Sequence, residues 1–143
     1  MIASGELSVV LVTYNSAHVV GAALSSLPPG CQLICVDNAS NDELGSVLAG
    51  FDVALIRNSV NRGYGAACNQ GAREATGQFV LFMNPDVTFE PGAIRALLDA
   101  ARRYPDCRTF VPRTHTSDGK LWFDDRSGTD RMLGRHREVA TTK

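Results

Sequence analysis

Apolar residues along this chain come in short runs, each closed by polar or proline-glycine punctuation. Leu7 to Thr13 (LSVVLVT) is a β-branched run that reads as a strand, stopped by Tyr14-Asn15-Ser16. Val19, Val20, Ala23, Leu24 and Leu27 then recur on one helical face, and Pro28-Pro29-Gly30 ends that helix. Cys31 to Val36 (CQLICV) predicts a second strand, followed by a helix over about Asn41 to Leu48. Ser40 and Glu43 have the spacing of a capping box at its start. Val53 to Ile56 predicts a third strand. A polar loop from Arg57 to Gly65 leads from it into a helix of small residues, Ala66, Ala67, Cys68, Gly71, Ala72 and Ala75. Small side chains allow a helix to lie close against a sheet. Phe79 to Met83 is a continuous apolar run, expected to form an interior strand buried on both faces and ended by Asn84-Pro85-Asp86. Pro91 opens a further helix with Ile94, Leu97, Leu98 and Ala101 inward, and Cys107 to Val111 predicts one more strand.

Strand and helix thus alternate with short links, which predicts an α/β fold, a Rossmann-like and mostly parallel sheet with helices on both faces. The expected organisation is an α/β domain over residues 1–111 and an irregular tail or hairpin over 112–143, where the periodicity fades around Leu121, Trp122, Phe123, Met132 and Leu133.

Composition changes this picture little. At 143 residues, 44% hydrophobic and 20% charged, the chain suits one soluble domain able to bury roughly 70% of its unfolded surface. A net charge of -1 excludes an electrostatic case for nucleic acid or an anionic membrane. No apolar run approaches the roughly 20 residues a membrane span requires, and Met1 to Ser8 lacks the basic start of a signal peptide. Cys31, Cys35, Cys68 and Cys107 have no metal-clip spacing and read as buried free thiols in a reducing cytosol. His18, His115 and His136 have no zinc spacing, and His18 reads as a helix-surface residue.

The candidate chemistry lies at strand ends. In a parallel sheet with right-handed crossovers, Thr13-Tyr14-Asn15, Asp37-Asn38 and Asn84-Pro85-Asp86 share one rim, where open α/β sheets bind ligands. Asp86 and the amide oxygen of Asn84 are hard oxygen donors suited to a divalent cation, although Asn-Pro-Asp is also a common turn. Asp37 could accept the N3–H of a pyrimidine, although Asp is equally at home in turns and caps. The loop from Asn61 through Arg62 and Gly63 to Gly65 approaches the same rim. Its Gly-x-Gly is not a dinucleotide fingerprint, which belongs in the first strand-to-helix turn.

Four ordered motifs carry a family resemblance: Val12-Thr-Tyr-Asn15, Val36-Asp-Asn-Ala-Ser40, the run from Asn61 to Gly71, and Phe82-Met-Asn-Pro-Asp-Val87. With them the chain resembles the family 2 glycosyltransferases of the GT-A type, most closely the bacterial rhamnosyltransferase-like branch, over roughly Leu7 to Val111. Asp118-Gly-Lys-Leu121 is similar to the family's continuation. The resemblance implies a nucleotide-sugar site of Thr13, Tyr14, Asn15, Asp37, Asn61, Arg62, Gly63, Asn84 and Asp86. In it Asp37 contacts the base, Thr13 and Tyr14 line base and ribose, and Asp86 is the last acidic position of the metal-binding DxD. Asn84 replaces the first Asp of that motif, which lowers its charge.

What the resemblance implies is an inverting transferase that moves a sugar from a nucleoside-diphosphate sugar, dTDP-rhamnose or a UDP-sugar, to a glycan or lipid-linked acceptor in cell-wall or polysaccharide biosynthesis. A divalent cation, Mg2+ or Mn2+, would be the cofactor. The expected location is cytoplasmic or peripheral at the inner membrane face. The family's general base is expected beyond residue 143, making this chain the donor-binding half, incomplete at the C-terminus. Asp124 and Asp125 read as solvated loop charges. Uncovered sheet surface would then favour self-association or partial disorder after Pro112. The competing readings are a catalytically silent nucleotide-binding module of a larger assembly and a sugar nucleotidyltransferase. The second of these lacks its glycine-rich loop after the first strand.

Overall fold

A computed structural model describes residues 2–120. The order of elements is β1 (Leu7–Thr13), α1 (Ala17–Ser25), β2 (Gln32–Asp37), α2 (Leu44–Leu48), β3 (Val53–Arg57), α3 (Tyr64–Glu74), β4 (Phe79–Met83) and α4 (Ala93–Arg103). The four strands form one parallel sheet in the order β3-β2-β1-β4. This is the expected α/β, Rossmann-like architecture. The chain separates into two compact units between Ile94 and Arg95.

In the first unit the sheet grows one way from β1 to β3, then jumps back past β2 and β1 to place β4. With right-handed crossovers, that reversal puts α3 on the face opposite α1 and α2. The packing agrees: Val10, Val12, Ile34 and Val36 form a core with Ala67 of α3. On the other face Val9, Leu11 and Cys35 are also buried, as are Val20, Ala23 and Leu24 of α1 and Leu44 and Leu48 of α2. Both central strands therefore carry continuous apolar runs because both of their faces are covered. The close approach of α3 depends on Gly71, where an added methyl would overlap Val10 Cγ1 and press on Val36 Cγ2 at 3.1 Å.

Several expectations are corrected. β4 is not interior among the described residues; it pairs only with β1, and Val80 and Phe82 are exposed at 39% and 45%. An apolar run alone does not distinguish a two-sided strand from one covered on a single face. The capping box does not form, and α2 starts only at Leu44, because the Ser40 hydroxyl is engaged by Asp37 instead. Cys31 lies just before β2. The four cysteines are free thiols, but Cys107 is exposed and only Cys35 is fully buried.

In the second unit, α4 continues from the boundary to Arg103, with Leu98 buried and an exposed Asp99–Arg102 ion pair at 2.8 Å. Cys107 to Val111 forms no strand, and Val111 is 82% exposed. A turn over 116–120 is closed by Thr116 N–H to Lys120 O and Gly119 N–H to Thr116 O, both at 2.8 Å. The apolar segment at Leu121–Phe123 and the Asp124–Asp125 pair lie outside the described residues.

Candidate nucleotide-sugar site

Strand order reverses between β1 and β4, so the crevice of this doubly wound sheet opens beyond Thr13 and Met83. Two adjoining cavities lie there. The larger, about 400 Å³, is on the α1 side, lined by Tyr14, Asn15, Ser16, His18, Val19, Asn84, Pro85 and Asp86. The smaller, about 250 Å³, is on the α3 side and includes Thr13, Asn38, Asn61 and Tyr64. Tyr14, Ser16, Asn84 and Pro85 border both and form the partition.

The loops that present these side chains are tied together by hydrogen bonds rather than by packing. Asp37, 2% exposed, uses Oδ1 to accept from the Ser40 hydroxyl, from Ser40 N–H at 3.3 Å and from the Thr13 hydroxyl at 3.3 Å. Among the described residues Oδ2 accepts none of these bonds. Asn15 N–H in turn donates to Ser40 Oγ at 2.8 Å, and Asn15 Oδ1 accepts from Asn41 N–H at 3.0 Å. The loops after β1 and β2 are thereby clasped to each other. The clasp holds Asn15 and Ala39 in left-handed backbone, at φ 52° and 67°. Asparagine tolerates that region, but alanine pays about 1–2 kcal/mol there.

α1 takes its cap from a neighbouring loop. Ser16 Oγ is turned to Tyr14, and Asp42 Oδ2 accepts the Ala17 N–H at 2.8 Å. A carboxylate at a helix N-terminus also meets the positive end of the helix dipole.

Two groups beside this site have displaced proton affinities. Burial, the dominant cause, pushes the Cys35 thiol up to about 11; Asp37 adds to this, while Thr13, 3.6 Å away, acts against it. Cys35 is thus a protonated, unreactive thiol under the site floor. Burial, with Cys68 beside it, pushes the Tyr64 hydroxyl up to about 12, so the ring presents a neutral phenol to the smaller cavity.

The structure brings the predicted residues together unevenly. Thr13, Tyr14, Asn61 and Asn84 line the smaller cavity; Tyr14, Asn15, Asn84 and Asp86 line the larger. Asp37, Arg62 and Gly63 line neither, and they enter through the loops they hold. His18, read from the sequence as a helix-surface residue, is exposed and borders the larger cavity with Asp86. Sequence reasoning placed Asn38 on the rim without a task, read Ser40 as the cap of its own helix, and gave Tyr64 no role. The partners of Asn38 lie in the loop before α3, so nothing local to it could have shown what it holds.

The donor set suits a divalent cation of the magnesium type. Asp86 and Asn84 both border the larger cavity and could offer it one carboxylate and one amide oxygen. Among the described residues no group of three His, Cys, Asp or Glu could hold a metal by itself. Magnesium is commonly held by one or two carboxylates together with ligand phosphates and water.

Comparison with known proteins agrees with this geometry. The model of glycosyl transferase family 2 matches residues 8–141. The N-acetylglucosaminyl-diphospho-decaprenol L-rhamnosyltransferase of Mycobacterium tuberculosis is 31% identical over 133 residues, covering 81% of this chain and 43% of that protein. The low-salt glycan biosynthesis hexosyltransferase Agl10 of Haloferax volcanii is 30% identical over 96 residues, 64% of this chain and 31% of that protein. The chain thus spans less than half the length of these relatives. Among solved structures, S. aureus TarS 1–349 in complex with UDP superposes with a TM-score of 0.60 at 19% identity, covering 80% of this chain and 43% of that one, which is a likeness of fold. With the family model matched along nearly the whole chain, this protein belongs to glycosyl transferase family 2.

Proposed function

We propose that this chain binds the donor of a sugar-transfer reaction, a pyrimidine nucleoside-diphosphate sugar, across the β1–β4 crevice. The observation that carries the reading is the shared partition. Tyr14 and Asn84 border both cavities, so one ligand can place its nucleoside on the α3 side and its diphosphate beside Asp86. Support for the ligand class comes from the UDP complex of the similarly folded TarS. The rhamnosyltransferase and hexosyltransferase relatives support sugar transfer to a glycan or lipid-linked acceptor, with rhamnose as the suggested sugar.

The chain's own residues have separable parts in this reading. Tyr14, 54% exposed at the partition, offers a ring for the base or ribose to stack on. Thr13, which lines the smaller cavity, and Ser40 hold Asp37 in one orientation through Oδ1, and Asp37, behind that cavity wall, is the acceptor proposed for a pyrimidine N–H. Asn84 and Asp86 would hold a divalent cation. When bound, that cation neutralises charge on the departing diphosphate. Inversion at the sugar carbon follows if an acceptor hydroxyl attacks opposite the diphosphate.

Calorimetric titration of UDP and dTDP, with ADP and GDP as controls and with or without Mg2+ or Mn2+, tests the proposal. Pyrimidine diphosphates are expected to bind preferentially and more tightly with metal, and Asp86→Ala is expected to abolish the metal dependence. Equal affinity for purine and pyrimidine diphosphates, or an unchanged metal effect in Asp86→Ala, would overturn it.

A further inference from the structure

One buried side chain joins three elements beside the smaller cavity without having been assigned any part in it. Asn38 is 2% exposed and lies one residue past β2. Its Oδ1 accepts from Asn58 Nδ2 at 3.0 Å and from Arg62 N–H at 3.4 Å, and its Nδ2 donates to Gly63 O at 3.3 Å. Asn58 Nδ2 also reaches Gln70 Oε1 at 3.0 Å, extending the network into α3. Only one orientation of the Asn38 amide fits, because its oxygen faces two N–H donors and its nitrogen faces a carbonyl.

The amide brackets the peptide between residues 62 and 63, taking the N–H of Arg62 and giving to the C=O of Gly63. It therefore sets the backbone just where the chain turns from loop into helix. Gly63 caps α3 at φ 82°, a conformation that costs an L side chain strain although nothing lies near its Cβ position. Asn61 Oδ1 accepts the Gly63 N–H at 2.9 Å, so the Asn61 side chain is tied to the same glycine. Asn61 and Tyr64, on either side of the bracketed pair, both line the smaller cavity.

We infer that Asn38 is a positioning residue: it holds Arg62-Gly63 in place before any ligand arrives and so fixes Asn61 and Tyr64 as one wall of the nucleoside cavity. The ligand named here rests on the nucleotide-binding reading; the loop geometry does not. Preorganising a loop lowers the ordering cost that binding would otherwise bear. An aspartate at position 38 would keep the two acceptor contacts and turn its other oxygen against Gly63 O. Asn38→Asp is therefore expected to fold with the sheet intact while releasing one side of the bracket.

Arg62 makes the test direct, because trypsin cleaves the peptide bond that Asn38 brackets. Limited trypsinolysis is run on wild type, Asn38→Ala, Asn38→Asp and Asn58→Ala, with cleavage after Arg57 in β3 and Arg73 in α3 as reporters of global unfolding. Cleavage after Arg62 alone is expected to rise about 10-fold in Asn38→Ala, which loses three modest hydrogen bonds, with smaller rises in Asn38→Asp, which loses one, and in Asn58→Ala, which loses two of which only one is to Asn38. UDP or dTDP affinity is expected to fall about 10-fold in Asn38→Ala, with saturating nucleotide and Mg2+ restoring protection at Arg62. Unchanged cleavage after Arg62, or equal rises at all three arginines, would overturn the assignment. So would raised cleavage with undiminished nucleotide affinity. Wild-type protein that binds no nucleoside diphosphate would instead refute the proposed function, while the cleavage comparison still decides whether Asn38 holds the loop.

Discussion

At the residue scale, a few side chains do work that simple truncation exposes. Asp37 is acceptor to Ser40 and Thr13 through one oxygen, so replacing it by alanine removes the partner of both hydroxyls as well as the proposed ligand contact. A hydrogen bond to a charged group is worth roughly 1.5–3 kcal/mol, so Asp37→Ala should weaken UDP or dTDP binding about 10- to 100-fold and lower the unfolding midpoint too. Calorimetry beside urea denaturation separates the two losses. Cys35 offers a pH prediction whose sign is settled by its environment. Its folded pKa of about 11 lies above the ordinary thiol value of 9.0, so the folded state holds the proton more firmly. The stabilisation is fully present below about pH 9 and is lost as pH rises through about 11. Urea midpoints should decline over that window, and less so in Cys35→Ala. At pH 8, iodoacetamide should label exposed Cys107 quickly and Cys35 only on unfolding.

At the element scale, α3 is the piece whose position is most sharply dictated. It packs on Val10 and Val36 through Gly71, where there is no room for a methyl. Gly71→Ala should cost about 1–3 kcal/mol by overpacking, read from denaturant midpoints. A helix moved outward also carries Tyr64 away from the smaller cavity, so nucleotide affinity should fall with stability. Gly65→Ala in the same helix meets nothing within 4 Å and is the control expected to keep nucleotide affinity and to hold or raise stability, by up to about 1 kcal/mol. By contrast α2 has only five residues and no side-chain cap, so it depends on Leu44 and Leu48 being buried.

At the scale of the whole molecule, the crevice is a consequence of strand order. Reversal between β1 and β4 splits the loops to opposite faces and leaves a cavity on each side of Tyr14 and Pro85. A ligand that bridges them links loops that are otherwise joined mainly by side-chain hydrogen bonds. At about 100 times its dissociation constant such a ligand stabilises the fold by about 2.7 kcal/mol, a rise of several degrees in Tm. UDP or dTDP with Mg2+ should produce that rise in a thermal-shift assay, and Asp86→Ala should lose the part due to metal. No shift with any pyrimidine diphosphate would contradict the proposed ligand. No helix among the described residues is long and apolar enough to cross a membrane.

Much of the fold was legible before any coordinate was known. The runs at Leu7, Gln32, Val53 and Phe79, with helical periods between them, determine a parallel α/β sheet because strands alternating with helices over short links can only be joined by crossovers. The small residues of α3 announced its close approach for the same steric reason. The rim placement of Thr13, Tyr14, Asn84 and Asp86 followed from parallel strands sharing one edge. Tertiary structure decided what local pattern cannot encode. β4 became an edge among the described residues because pairing depends on partners distant in sequence. Ser40 abandoned its own helix for Asp37 because a buried carboxylate must be satisfied, and Asp42 capped a helix 25 residues away. Asn38 gained its place from Asn58, Arg62 and Gly63, which reach it only after the sheet has assembled. Periodicity reports which face of an element is buried; hydrogen bonds between loops are set by where the folded sheet brings those loops together.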